Sequence, residues 1–294
     1  MMKLYNLGSL NIDYVYAVDH FVRGGETLSS RKMEVFPGGK GLNQSIALAK
    51  AGARVRHGAL VGDGGKFLLN TMSEAGVDTG RIEKVDGSCG HAIIQVDKRG
   101  QNSILLFPGA NHKITQEYAR RFLSDAQPGD ILLLQNEISA LEEIFAVARE
   151  KSMQIAFNPS PFREELVSLP LEQVRWWFCN EIEAAALFGS DDTEQIARSF
   201  SEKYPHSALI LTLGSRGSLY IDAGQIHRQQ AYPVSAVDTT AAGDTFTGYF
   251  LAAITTGKTP GYAMKLAAKA SSIAVCRPGA ACSVPVLAEV EREL

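Results

Sequence analysis

Two short stretches hold residue types able to transfer a phosphoryl group. Ala236 to Gly248, AVDTTAAGDTFTG, runs from an extended entry through Ala241, Ala242 and Gly243 to Asp244 and an amphipathic helix. Small residues let backbone N–H groups approach an anion at a helix start, where the helix dipole adds positive potential. Asp244 beside them could take the proton of an attacking hydroxyl, although Asp is equally a favoured N-cap, and alone it reads better that way. The second stretch, Phe36 to Ala51, FPGGKGLNQSIALAKA, sets Gly38, Gly39 and Gly41 around Lys40 ahead of a helix. Leu42, Ile46 and Ala49 share the apolar face of that helix while Asn43 points elsewhere. Glu34 and Gly41 stand where a Walker loop needs Gly and Ser or Thr, and GxGxxG occurs nowhere, so neither nucleotide fingerprint applies.

The elements that must position these stretches alternate along the chain. Apolar runs at Leu4 to Gly8, Arg56 to Val61, Ile131 to Leu134, Gln154 to Phe157, Trp176 to Cys179 and Leu209 to Leu213 predict buried strands. Helix-period segments fall near 40–51, 65–75, 115–124, 139–151, 182–188 and 193–203, and the chain from Gly243 onward is helical in pattern. Such alternation predicts an α/β fold, a mostly parallel sheet with helices on both faces, which binds ligands at the carboxyl ends of its strands. Tyr14 to Phe36 and Cys89 to Phe107 break the rhythm, and HAIIQVDKRGQNSILLF reads as a hairpin turning at Lys98 to Gln101. A single domain over 1–294 is expected, with a small β lid from about 14–36 and 88–107.

Composition narrows the partners. The 294 residues are 45% hydrophobic and 21% charged, and 29 Lys plus Arg against 32 Asp plus Glu leave a net charge of −3 with no basic run. A nucleic-acid partner is not expected from that balance. No run reaches the roughly 18 apolar residues of a membrane span, and the opening MMKLYNLGSL lacks a signal-peptide core, so no membrane and a cytoplasmic location are expected. Cys89, Cys179, Cys276 and Cys282 show no CxxC spacing and read as reduced thiols.

Taken together, GGKGxNQ near residue 40 and DTxAAGDTFxG near residue 240 resemble the two signatures of the ribokinase family of carbohydrate kinases, the phosphofructokinase-B type. The resemblance extends through GSLNID at 8–13, GGET at 24–27, FPGAN at 107–111, NPSP at 158–161, NEIE at 180–183, TLGSRG at 212–217 and CRPGAACSVP at 276–285. It implies a ribokinase-like fold and transfer of the γ-phosphoryl of ATP to a sugar primary hydroxyl, D-ribose foremost. Another pentose, a ketohexose or a nucleoside is the nearest alternative. A non-catalytic sugar or nucleotide sensor is a further one, against which the retention of Asp244, Gly243 and Lys40 argues.

By the same resemblance Asp244 is the general base, with Ala242 and Gly243 forming the anion hole. Asn11, Asp13, Gly39, Lys40, Asn43 and Glu137 match sugar-contacting positions, although Asn11 and Asp13 alone would read as an Asx turn. Asn180, Thr212, Gly214, Ser215 and Gly217 match nucleotide positions, where a glycine turn in a hairpin is the plain alternative. Glu183 matches the acid that organises Mg2+ through water. Asp238, Thr240, Ala274, Arg277, Gly279 and Ser283 match a monovalent-cation site for K+, or simply brace a loop. Ala268 stands where relatives often place Asn or His beside the adenine, leaving the base preference open. Family lids often pair into a homodimer, for which Tyr14, Val15, Val18, Phe21, Ile93 and Ile94 could supply apolar surface.

Overall fold

The computed structural model describes residues 2–294. Its first half contains β1 (Leu4–Leu7), β2 (Asn11–Ala17), β3 (Lys32–Gly38), α1 (Lys40–Lys50), β4 (Val55–Gly58), β5 (Leu60–Asp63), α2 (Lys66–Glu74), β6 (Glu83–Ser88), β7 (Gly90–Val96), β8 (Asn102–Phe107), α3 (Gln116–Phe122), β9 (Ile131–Gln135) and α4 (Leu141–Glu150). Then follow β10 (Gln154–Asn158), β11 (Val174–Asn180), α5 (Glu181–Phe188), α6 (Thr193–Lys203), β12 (Ala208–Thr212), β13 (Ser218–Asp222), β14 (Gln225–Gln229), α7 (Ala242–Thr255), α8 (Pro260–Ala274) and α9 (Leu287–Arg292). The main sheet has eight strands in the order β14-β13-β12-β11-β10-β9-β1-β4, parallel from β12 to β4 and closed by an antiparallel meander.

Continuous apolar strands suit a sheet covered on both faces. Ile131 and Leu133 pack with Leu42, Ile46 and Tyr249 of α1 and α7, while the alternate residues Leu132 and Leu134 pack with Tyr118, Phe122, Ile144 and Phe200 of α3, α4 and α6. Four of the parallel strands deliver polar residues to one edge, where Asn136 and Glu137 follow β9, and Asn158, Asn180 and Thr212 end β10, β11 and β12. A second, four-stranded sheet, β3-β2-β7-β8, stands beside that edge. β7 and β8 lie within the second segment expected to leave the βα rhythm and form the expected hairpin around Asp97 to Gln101, whereas β2 starts three residues before the first segment and β3 ends two residues after it.

Two expectations change. Arg56 to Val61 is not one strand but β4 in the main sheet and β5, which pairs with β6 in a separate two-stranded sheet. The break falls at Ala59, whose N–H donates to the Tyr118 hydroxyl at 2.7 Å instead of to a main-sheet neighbour, while its carbonyl, 2.9 Å from the same hydroxyl, also accepts from the Glu83 N–H of β6 at 3.1 Å. Helix α1 also has more than one buried face, because Gly41 through Leu48 are all buried, Asn43, Gln44 and Ser45 included. It is wedged between β1 and α7: a Cβ on Gly41 would lie 2.7 Å from Gly8 Cα, and one on Gly248 would lie 2.4 Å from Ala47 Cβ.

Candidate active site

Asp244 does not cap its helix. Helix α7 starts after Ala241, held in the left-handed region at φ 58°, with no side-chain cap, and Asp244 lies in the first turn. Ala242 N–H donates to the Thr239 carbonyl at 3.3 Å and Thr245 N–H to the Ala241 carbonyl at 2.8 Å, which leaves the amides of Gly243 and Asp244 in that turn without an intrahelical acceptor. A Cβ built on Gly243 meets nothing within 4 Å, so the space before these amides is open. The Asp244 carboxylate instead turns toward α1, accepting from Gln44 Nε2 at 2.8 Å on Oδ1 and from Asn43 Nδ2 at 3.2 Å on Oδ2. A cavity of about 250 Å³ opens here, bringing together Lys40, Asn158, Asn180, Glu183, Thr212, Ala242, Gly243 and Asp244.

On one side of Asp244 lie the residues matched to a sugar. Gly39, at φ 94°, turns the chain from β3 into α1 and places Lys40 at the helix start. The Lys40 N–H donates to Glu137 Oε2 at 2.9 Å, and the Ser9 hydroxyl donates to the same oxygen. Burial alone would lower the Lys40 ammonium, but the carboxylates of Asp244, Glu137 and Glu183 outweigh it and shift it upward. Burial pushes Glu137 above the usual carboxylate range despite Lys40. Burial, aided by the Glu137 charge, pushes Asp13 up to about 7. Gly38 leaves room for Asp13, since a Cβ there would lie 2.1 Å from Asp13 Oδ2. Asn11 is fixed by Asn111, whose Nδ2 donates to Asn11 Oδ1 at 2.8 Å. Asn43 Oδ1 is buried and without a partner, an acceptor ready for a hydroxyl.

On the other side, Thr212 lines the cavity while Gly214, Ser215 and Gly217 lie in the turn between β12 and β13, outside its lining. Gly214 and Ser215 are exposed. Gly217 is buried at φ 95°, and a Cβ there would lie 2.2 Å from the Gln229 carbonyl oxygen, so its glycine serves the hairpin with β14. Asn180 and Glu183 form a capping box at the start of α5: Glu183 N–H donates to Asn180 Oδ1 at 2.9 Å and Asn180 N–H to Glu183 Oε2 at 3.0 Å. Ala268 is buried on α8.

The residues matched to a cation tie two segments beside the start of α7. Asp238 Oδ1 accepts from Thr240 N–H and Oδ2 from Gly279 N–H, each at 2.9 Å. Burial alone would raise Asp238, but the Thr240 hydroxyl together with these amides outweighs it and holds its carboxyl below the usual range. The Ala274 carbonyl accepts from Arg277 N–H at 3.0 Å, Ser283 Oγ donates to the Ala280 carbonyl at 2.8 Å, and Arg277 pairs with Glu289. Ser271 Oγ donates to the Ala242 carbonyl at 2.9 Å, joining α8 to the first turn of α7. Among the described residues no group of three or more His, Cys, Asp or Glu could hold a metal.

Sequence reasoning missed Ser9, Gln44, Asn111, Gln135 and Asn158. Four of them stand inside the motifs GSLNID, GGKGxNQ, FPGAN and NPSP without a role of their own, and Gln135, closing ILLLQ, has as its signal only a polar type inside a buried stretch, which names no partner.

Comparisons with known proteins return a carbohydrate kinase family for this chain. Residues 1–287 match the family model described as pfkB family carbohydrate kinase. This chain belongs to that family. Among curated relatives it is 34% identical to the ribokinase of Haemophilus influenzae, over 96% of this chain and 95% of that one, and 32% identical to the ribokinase of Bacillus subtilis over the full length of both. Its fold matches the structure of Arabidopsis thaliana ribokinase complexed with ribose and ATP at a TM-score of 0.87 and 28% identity, covering 99% of this chain and 98% of that one. Ribokinase of Cryptococcus neoformans in complex with ADP matches at 0.86 and 31% identity, with full coverage of both chains.

Proposed function

We propose that this protein is an ATP-dependent ribokinase, transferring the γ-phosphoryl of ATP to the primary hydroxyl of D-ribose. The observation that carries the reading is Asp244: a buried carboxylate standing in the same helical turn as open amides. Its oxygen takes the proton of the sugar hydroxyl as that oxygen attacks phosphorus. The amides at Gly243 and its neighbours face the charge growing on the phosphoryl oxygens. Asn11, Asp13, Asn43 and Glu137 orient the sugar by accepting and donating to its hydroxyls, and Lys40 offsets negative charge between the two substrates. Thr212 and the following turn meet the nucleotide.

Asp244, Glu137 and Glu183 surround the Lys40 ammonium, and ATP adds more negative charge, so the site suits a divalent cation. With no all-protein cage, Glu183 would hold Mg2+ through water, and the ion would neutralise phosphate charge. The oxygen donors at Asp238 and the carbonyls of 274–283 fit K+, which would fix the loop beside the anion hole. The whole chain acts as one kinase domain, with the four-stranded sheet as its lid. Met33, Val35, Ile93, Ile104, Leu105, Leu106 and Phe107 are exposed on that sheet and suit a homodimer contact, whereas Val18 is buried and supplies none. A dimer mass by light scattering at micromolar concentration is the expected result. No described helix is long and apolar enough to cross a membrane, and the cytoplasm is the proposed compartment.

The test is ADP release across a panel of sugars and nucleosides. Ribose should give the highest kcat/KM. A higher value for deoxyribose would reassign the substrate, since a Salmonella typhimurium deoxyribokinase is 31% identical over 85% of this chain. Silence on every substrate would favour a sensor.

A further inference from the structure

Behind Asp244 lies a row of amide side chains. Gln44 of α1 and Gln135 of β9 are both 0% exposed. The Gln135 nitrogen donates to Gln44 Oε1 at 2.7 Å and to Asn6 Oδ1 at 3.0 Å. The Gln44 nitrogen donates in turn to Asp244 Oδ1 at 2.8 Å and to Asn158 Oδ1 at 3.2 Å. Beyond Asn6 the row continues through Ser45 to His57, which burial holds down at about 3 and therefore neutral. Both glutamine nitrogens thus have an acceptor for each hydrogen. Turning Gln44 over would set its oxygen against the Asp244 carboxylate and its NH2 against that of Gln135, so the carboxylate fixes the direction of the row. Space is kept for it: a Cβ on Gly8 would lie 2.3 Å from Gln135 Oε1.

Resting on the kinase reading above, we propose that Gln44, backed by Gln135, is a positioning residue that pins Oδ1 of Asp244 and presents Oδ2 to the sugar hydroxyl. Oδ2 has only the longer bond from Asn43, at 3.2 Å, and that amide is itself matched to the sugar. A buried carboxylate stays charged only where donors face it, and Gln44 supplies the shorter of the two described bonds. The other charged groups around Asp244 are Lys40 from α1, Glu137 after β9 and Glu183 from α5.

The experiment is kcat and both KM values against pH for wild type, Gln44→Met, Gln135→Met and the double variant. Gln44→Met should lower kcat about 10- to 100-fold, as expected for losing a hydrogen bond to a charge, with both KM values within about twofold. Its acid limb of kcat should move to higher pH, because the lost donor favoured the ionised form. Gln135→Met should shift the limb the same way by less, and the double variant should lose no more than Gln44→Met, since Gln135 acts through Gln44. An unmoved acid limb, or losses that simply add, would overturn the assignment. Should the apolar variants not fold, Gln44→Glu keeps the shape and faces Asp244 with a second carboxyl. One proton is then shared between the two acids, and the limb must move up further still. A Gln44→Glu limb at the wild-type position overturns the proposal too. Wild-type enzyme that turns over no sugar would instead remove the kinase reading itself.

Discussion

On the sugar side of Asp244, Asn11 and Asn43 are buried and bonded to side chains from distant segments, and Glu137 is tied to Ser9 and Lys40. On the nucleotide side, Gly214, Ser215, Thr239, Thr240 and Gly243 are exposed turn or helix-start residues offering mostly backbone. The difference follows from the ligands the two sides are proposed to take. A small ring of hydroxyls is distinguished by directed side-chain donors and acceptors, which must be held in place beforehand. A triphosphate is bound by amides and cations that need space more than shape. Asp244 stands at the boundary and is held from the sugar side.

Asp244→Asn tests that boundary most severely. Turnover should fall on the order of 10² to 10⁴, while calorimetry still detects ATP and sugar binding, because the amide keeps the shape but cannot take the proton. Near wild-type kcat would remove the base assignment. Asp13→Ala sharpens the contrast between the sides: sugar KM should rise about 10- to 100-fold with ATP KM nearly unchanged, as for hydrogen bonds to a charged group. Equal weakening of both ligands would mean general damage.

A smaller effect separates the sides by pH. With its carboxyl pushed up to about 7, Asp13 holds a proton below that pH and becomes a carboxylate above it. Sugar hydroxyls donate more strongly to the charged form, so sugar KM should fall several-fold as pH rises through about 7, and ATP KM should not follow. Asp13→Asn should flatten the sugar curve. The mildest expected effect belongs to the nucleotide side. Replacing K+ by a bulky organic cation at constant ionic strength should lower kcat a few-fold, and Asp238→Ala should abolish that response. An unchanged wild-type rate would leave Asp238 as a brace between Thr240 and Gly279.

Much of the fold was legible because the buried strands are uninterrupted apolar runs, as in ILLL at 131–134, and because β2 with β3, and β7 with β8, are each too closely spaced to be βαβ units. The β4–β5 break was not legible, since it depends on a hydroxyl at Tyr118, far along the chain. Local types and a family resemblance pointed to Asp244, Lys40, Asn180 and Glu183, which the structure places around one cavity. Gln44 stood in the GGKGxNQ signature but drew no role of its own, because helical periodicity sorts polar residues to the solvent face, and α1 has scarcely any solvent face. Gly217 matched a nucleotide motif by type, yet its buried backbone answers to a neighbouring strand.

The glycines described above divide into two kinds that a mutational survey would tell apart. At Gly8, Gly41 and Gly248 an added methyl would collide with atoms of the protein itself, so every larger residue should be purged by a screen that scores only soluble expression. At Gly243 the methyl would project into empty space, so the apo protein should accept it and pass that screen. A second screen, growth on the sugar alone, should then remove Gly243 variants that the first retained. The gap between the two screens marks the volume that the chain leaves vacant for something other than itself.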